Sequence, residues 1–483
     1  MPGEDKKTET GRTVSTVIPK IPTRIKGLDR ILHGGLPEKR TTLVSGGPGS
    51  GKSMVGLEFI YRSAMAGEPG IFLTFEETKA CVVRNALTLG WDLPALEKKG
   101  MLFLMESRID PNLLISGDFN AKALFAILEG KIRAMNADRI VIDAMDVLVR
   151  LFEDPGRRQN EFFILNRWLQ DQQLTCILTA KNIRDKTASD FGYLDFMADC
   201  VIRLDQRVQD QVTTKRLQVT KYRGSGYSEN EHPFFISTSG IHFNPISDIG
   251  MHYESGPERV SSGHPSLDTI LGGGYKTGTC ILISGLTGTG KTTLASLFAH
   301  SVCAGGQKAL YLNYEESQKS MFSGMLSVGI DLRPAMDSAF LQMTSVMPES
   351  MGIEEQLFHV IRAITNYKPE HLVVDAISAC RRIAGEEAAF DFVMRIVDVC
   401  KRSGITVVLI NQTKSSSGFF EFSGVGISSV ADTIINLQYK DTGNELTRRL
   451  MVIKSRGSRH SHKYHDYKLT GQGLEIDTDP DQP

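Results

Sequence analysis

Short apolar runs recur along the chain, each followed by a longer stretch in which apolar positions fall at helical spacing. In the first half the runs are Thr42-Leu43-Val44-Ser45, Gly70-Ile71-Phe72-Leu73-Thr74, Met101-Leu102-Phe103-Leu104, Ile140-Val141-Ile142 and Cys176-Ile177-Leu178-Thr179. The second half repeats the order with Ile281-Leu282-Ile283-Ser284, Ala309-Leu310-Tyr311-Leu312, Leu341 to Thr344, Leu372 to Val374 and Ile405 to Ile410. Runs that are apolar at consecutive positions, rather than alternate ones, predict strands buried on both faces. Helical patterns between them predict an α/β fold, a mostly parallel sheet flanked by helices, with ligands at the carboxyl ends of the strands.

The repetition extends beyond hydropathy. Leu28-Asp29 recurs as Leu267-Asp268, Lys52 as Lys291, and Glu76-Glu77 as Glu315-Glu316, all at a spacing of 239 residues (291 − 52). Further on, Asp143 matches Asp375, and Lys221-Tyr222-Arg223-Gly224-Ser225 matches Lys454-Ser455-Arg456-Gly457-Ser458, at spacings of 232 and 233. One surface loop of altered length accounts for the drift. The chain therefore reads as a tandem duplication. The predicted domains are 18–243 and 259–476, joined by a linker over 244–258 rich in Pro, Gly, Ser and charge. Disordered ends are expected at 1–17 and 477–483.

Each half carries a phosphate-binding loop after its first long apolar run. Gly46-Gly47-Pro48-Gly49-Ser50-Gly51-Lys52-Ser53 and Gly285-Leu286-Thr287-Gly288-Thr289-Gly290-Lys291-Thr292 both satisfy G-x4-G-K-[ST]. Helical patterns follow, over Met54 to Tyr61 and Leu294 to His300. Gly47, Gly49 and Gly51, like Gly288 and Gly290, let main-chain N–H groups wind around phosphate oxygens. Ser50, Thr287, Thr289 and Thr293 complete the candidate cradle. Lys52 and Lys291 supply charge to the outer phosphates, and the hydroxyls of Ser53 and Thr292 can ligate Mg2+. Asp143 and Asp375, each closing an apolar run, are the expected acidic partners of that ion.

Glu76-Glu77 and Glu315-Glu316 follow a strand expected to lie beside the phosphate-loop strand, which would aim them at the terminal phosphate. A carboxylate there can orient or deprotonate an attacking water or hydroxyl. An acidic pair is otherwise often a solvated loop; its recurrence at one distance from the lysine favours catalysis. The two K-x-R-G-S turns carry Lys221, Arg223, Lys454 and Arg456. They are either solvated hairpins or, in an assembly with sites between subunits, arginines acting on a neighbour's nucleotide.

Bulk properties narrow the class. With 483 residues, 41% hydrophobic and 23% charged, the chain is an ordinary globular protein of several cores. A net charge of −1 gives no general pull toward nucleic acid. No apolar run has the length of a signal peptide or membrane span. The seven scattered cysteines, without a C-x-x-C, are expected to be buried hydrophobes of a reducing cytoplasm.

The order of P-loop, E-E, Walker-B aspartate and K-x-R-G-S, duplicated head to tail over about residues 18–476, resembles the KaiC family of clock ATPases and autokinases in the RecA/DnaB superfamily. The resemblance implies tandem RecA-like P-loop NTPase domains in a double-ring homohexamer, with ATP and Mg2+ between protomers. It implies ATP hydrolysis in the first ring, where Glu76 and Glu77 would activate water. In the second ring, Glu315 and Glu316 would act on a serine or threonine of the chain itself. Lys221, Arg223, Lys454 and Arg456 would reach the neighbour's nucleotide.

That family carries adjacent Ser-Thr just before a late strand. Here the matching run is Ile427-Ser428-Ser429-Val430-Ala431-Asp432-Thr433, so Ser428 and Ser429 are the expected phosphoacceptors. The first half has Asp195 and Phe196 at those positions. The Gly- and Ser-rich stretch from Ser415 to Gly424 suits a mobile loop. Two departures stand out. Gly226-Tyr227 replaces an expected histidine after the first K-x-R-G-S turn. The long tail that recruits KaiA has no counterpart after Ile476, so stimulation by KaiA is not expected, while docking of a KaiB-like protein stays open. The competing readings are a DNA-dependent ATPase of the same superfamily, disfavoured by charge, and a scaffold held together by nucleotide, disfavoured by both E-E pairs.

Overall fold

The computed structural model describes residues 18–107, 121–150, 155–181, 192–209, 212–245, 256, 258–347, 351–413 and 427–477. The expected tail 1–17, most of the expected linker, the loop 415–424 and the end 478–483 lie outside the described residues. Apart from residues 208–213, the chain divides into two compact units that part between residues 248 and 249.

Each unit is built on a nine-stranded sheet. In the first, the strand order is Leu102–Glu106, Gly70–Thr74, Arg139–Asp143, Thr175–Lys181, Thr41–Gly46, Cys200–Gln209, Val212–Tyr222, Glu231–Ser237 and Gly240–Phe243. The six from Leu102–Glu106 to Cys200–Gln209 are parallel. The second unit repeats this with Leu341–Ser345, Ala309–Asn313, His371–Asp375, Thr406–Gln412, Cys280–Gly285 and Thr433–Asp441 in parallel. Leu446–Ser455, His465–Thr470 and Gly473–Ile476 then follow antiparallel. The sheet is mostly parallel as expected, and the antiparallel end adds strands beyond the apolar runs read from hydropathy. In the second unit Leu446–Ser455 and Gly473–Ile476 alternate buried with more exposed positions, so they lack the continuous apolar signature.

The parallel strands are buried on both sides because consecutive side chains alternate between two cores. Val44, Phe72, Val141, Ile177 and Ile202 share one face with Val55 and Phe59 of the helix Lys52–Met65. Leu43, Ile71, Ile140, Ile142 and Leu178 face the other side, against Leu128, Phe162 and Leu165.

Two expectations are corrected. The strand before Glu76 does not lie beside the phosphate-loop strand: Arg139–Asp143 and Thr175–Lys181 stand between them, and Ala309–Asn313 is displaced likewise. A right-handed crossover can skip sheet positions, and hydropathy carries no information on how many. Six cysteines are buried as expected, but Cys81 is partly exposed in the first turn of the helix Lys79–Leu87, where Arg84 donates to its Sγ at 3.4 Å. Thr78 and that contact push its thiol pKa down. Among the described residues no helix is long and apolar enough to cross a membrane.

Candidate phosphate-binding sites

Both phosphate loops end at a glycine in the left-handed region, Gly51 with φ 96° and Gly290 with φ 89°, each the N-cap of a 14-residue helix. Neither helix has a side-chain cap, whereas Thr78 and Ser317 cap the helices that follow. The first N–H groups of the loop helices are thus left for an anion, favoured further by the helix dipole.

In the first unit, Lys52 Nζ donates to the carbonyl of Gly47 at 2.9 Å, and Ser50 Oγ to the same oxygen at 2.8 Å. Ser53 Oγ donates to Asp143 Oδ1 at 2.9 Å, and the Thr179 hydroxyl also donates to that oxygen. Asp143 is buried; desolvation raises its pKa, with Thr179 and Ser53 opposing. Burial lowers the Lys52 pKa against the pull of Asp146, Asp143 and Glu76. A bound phosphate would restore the charge that burial disfavours.

The second unit repeats the arrangement with different partners. Lys291 Nζ and Thr289 Oγ1 donate to the carbonyl of Leu286 at 2.7 and 2.8 Å. Burial lowers the Lys291 pKa, opposed by Glu315 and Asp375. Thr293 is buried in the helix behind the loop. Burial raises the carboxyl of Asp375 to about 6, with Thr292 and Tyr311 opposing. Tyr311 donates to Asp375 Oδ2 at 2.9 Å, while Oδ1 is buried with no hydrogen-bond partner. An orphaned carboxylate oxygen next to the Thr292 position, like the Ser53–Asp143 pair, fits a small oxygen-seeking cation such as Mg2+. Among the described residues there is no cluster of three or more His, Cys, Asp or Glu able to hold a metal, so most ligands would be phosphate and water.

The glutamate pairs lie at exposed turns pinned by the last side chain of the preceding strand. Thr74 Oγ1 accepts from Glu77 N at 3.1 Å; Asn313 Oδ1 accepts from Glu315 N and Glu316 N at 3.0 and 3.2 Å. The second member of each pair bonds away from the loop, Glu77 to Asn85 at 3.0 Å and Glu316 to Ser320 at 2.7 Å. Both glutamates of the first unit are felt at the site: the pKa of Glu76 is raised by desolvation, then by Asp146 and Asp143, with Lys52 and Lys181 opposing, and Glu77 adds to the raised pKa of Asp143.

The K-x-R-G-S cations hold backbone of their own unit. Lys221 Nζ donates to the carbonyls of Asp195 and Phe196 at 2.7 and 2.9 Å, and Arg223 to that of Phe196 at 2.8 Å. Lys454 Nζ donates to the carbonyls of Ser428 and Ala431 at 3.2 and 2.8 Å, and Arg456 to that of Ser429 at 2.9 Å. Among the described residues, none of these hydrogen bonds reaches the phosphate loop of the same unit. Ser428 and Ser429 themselves close a short turn, Ile427–Ser429, before the strand Thr433–Asp441.

Several residues at the loops escaped the sequence reading. Lys215 donates to the carbonyl of Gly49 and to Gln206 Oε1, while Arg448 Nε donates to the carbonyl of Gly288 at 3.2 Å and Tyr439 to that of Thr287 at 3.3 Å. These pairs share the 233-residue spacing of the K-x-R-G-S turns, the one signal that marks them, but differ in residue type. Asp146, buried three residues after Asp143, accepts from the main-chain N–H of Lys181 at 3.2 Å.

Known proteins share this arrangement in sequence. The family model "ATPase: KaiC" matches residues 21–248 and 260–481. The chain is 36% identical over 473 residues to "Circadian clock protein KaiC2" of Synechocystis sp., covering 97% of this chain and 83% of that protein. It is 34% identical over 462 residues to "Circadian clock oscillator protein KaiC" of Parathermosynechococcus lividus (95% and 85%). With the protein of the same name from Nostoc sp. the figure is 33% over 476 residues (98% and 92%).

Proposed function

The chain belongs to the KaiC family of ATPases, and from that premise we propose that its first unit hydrolyses ATP while its second phosphorylates Ser428 or Ser429. Both units bind Mg-ATP at their phosphate loops. In the first, a water oxygen attacks the γ-phosphorus, the bond to the β-bridging oxygen breaks, and the water proton passes to Glu76, with Glu77 beside it. In the second, a serine Oγ is the attacking atom, its proton passes to Glu315 or Glu316, and ADP leaves. Ser53 with Asp143, and Thr292 with Asp375, would hold Mg2+, which would supply neutralising charge on the phosphate oxygens.

The observation that carries the kinase reading is the grip of Lys454 and Arg456 on the carbonyls of Ser428, Ser429 and Ala431. It ties two adjacent hydroxyl-bearing residues to the cations that, in a homohexameric ring, would face a neighbour's nucleotide. The first unit ties Asp195 and Phe196 in the same way and offers no hydroxyl there. In this reading the protein is a cytoplasmic clock, timer or stress regulator, and a KaiB-like protein is a candidate partner.

Incubation with Mg-ATP followed by mass mapping tests the proposal. Phosphate on Ser428 or Ser429, lost in Glu315→Gln, supports it. ATP turnover without phosphate there removes the kinase assignment. Turnover that depends on single-stranded DNA favours a nucleic-acid motor instead.

A further inference from the structure

One of the two strands flanking each phosphate-loop strand ends at a seat level with the first glycine of the loop. In the first unit that seat pairs Gly46 with Lys181; in the second it pairs Gly285 with Gln412. The two seats are wired differently. Gln412 Nε2 donates to the hydroxyl of Thr287 on the loop. The residue matching Thr287 in the first loop is Pro48, which offers neither hydroxyl nor N–H. Lys181 instead has its main-chain N–H bound at 3.2 Å by Oδ1 of the buried Asp146, and no described residue accepts from its ammonium. The residue matching Asp146, three after the aspartate in each unit, is Ser378, whose hydroxyl is buried without a partner.

We infer that Lys181 is a second cation for the outer phosphates in the first unit, with Asp146 as the positioning residue that fixes its strand end. Neutral Gln412 gives the second unit no such charge. The inference rests on reading the first unit as an ATP hydrolase. The Lys181 charge is felt at the site, since it opposes the raised pKa of Glu76 and adds to the lowering at Lys52. During hydrolysis the bond changes are those given above. Lys181 makes and breaks none, and neutralises oxygens of the departing γ-phosphoryl group, where preorganised charge is most effective. The seat therefore distinguishes a site that delivers the phosphoryl group to water from one that delivers it to a side chain.

The test uses the full chain carrying Glu315→Gln and Glu316→Gln, so that turnover reports the first unit. Three quantities are read: kcat, and the affinities for a non-hydrolysable ATP analogue and for ADP. Lys181→Gln should lower kcat by about a hundredfold and analogue affinity by about tenfold, with ADP affinity unchanged and Lys181→Arg retaining most of both. Asp146→Ser should lower kcat less, again without loss of ADP affinity. Unchanged kcat and analogue affinity in Lys181→Gln overturns the inference alone. An equal loss of ADP affinity makes the residue structural and also overturns it. If the parent chain shows no turnover, the hydrolase reading falls and the inference with it.

Discussion

Arg456 Nη2 lies 2.9 Å from the carbonyl oxygen of Ser429, and in the first unit Arg223 Nη2 lies 2.8 Å from that of Phe196. The same arginine also approaches Asp432, with Nη1 and Oδ1 3.6 Å apart, and Asp432 in turn pairs with the buried Lys401 at 2.7 Å. The segment holding the candidate acceptors is therefore fastened by the side chain proposed to act on a neighbouring nucleotide, and a change at either end is felt at the other.

Arg456→Ala should release that segment. The amides of Val430 and Ala431, both bonded to the carbonyl of Ile427, should exchange hydrogen faster than in the parent protein. Phosphorylation of Ser428 and Ser429 should fall by at least about a hundredfold, as expected for loss of an arginine acting on a transferring phosphoryl group. Exchange and mass mapping on one sample check both effects.

The two glutamates of the first unit should not be equivalent. Glu76 senses Asp146, Asp143 and Lys52, whereas the carboxylate of Glu77 is bonded to Asn85. Glu76→Gln should lower steady-state ATP turnover by about a hundredfold, and Glu77→Gln by clearly less. Equal losses would assign the proton transfer to the pair rather than to Glu76.

Asp375 should make stability pH-dependent in the absence of nucleotide and metal. Its carboxyl titrates at about 6 against an ordinary 3.8. The folded state therefore binds the proton more tightly, and this contribution is complete below pH about 4 and lost as pH rises through about 6. A carboxyl held that far above its ordinary value costs about 3 kcal/mol once it is ionised. Asp375→Asn should raise the melting temperature by about 6 °C or more at pH 8 in EDTA, and the difference should narrow between pH 6 and pH 4.

Glu58 is a fully buried carboxylate on the phosphate-loop helix. It accepts from Arg62 Nε at 2.6 Å and from the main-chain N–H of Ile241 at 2.7 Å, fastening the last hairpin to that helix. Glu58→Ala removes the carboxylate that Arg62 Nε and that N–H share and should destabilise the first unit by about 3 kcal/mol. Leu297 occupies the matching position in the second unit, so the melting of that unit should not move. Denaturant unfolding followed separately in the two units distinguishes them.

Sequence alone determined the elements whose information is local. The duplicated glycine loops, the strand-ending aspartates and the apolar strands could be read because backbone winding and two-sided burial each restrict residue type at neighbouring positions. What sequence left open is everything set by contacts between distant segments. The acidic turn at Glu76 follows a strand three places from the phosphate-loop strand, because a crossover can skip positions without leaving a mark in hydropathy. Asp146 and Lys181 belong to no motif, and only the register of Gly46 with Lys181 places them at the end of the phosphate-loop strand. Nor could spacing tell that Lys454 and Arg456 grip the carbonyls of Ser428, Ser429 and Ala431. Side-chain reach, burial and the ionisation that follows from burial are properties of the packed chain, and only the tertiary structure decided them.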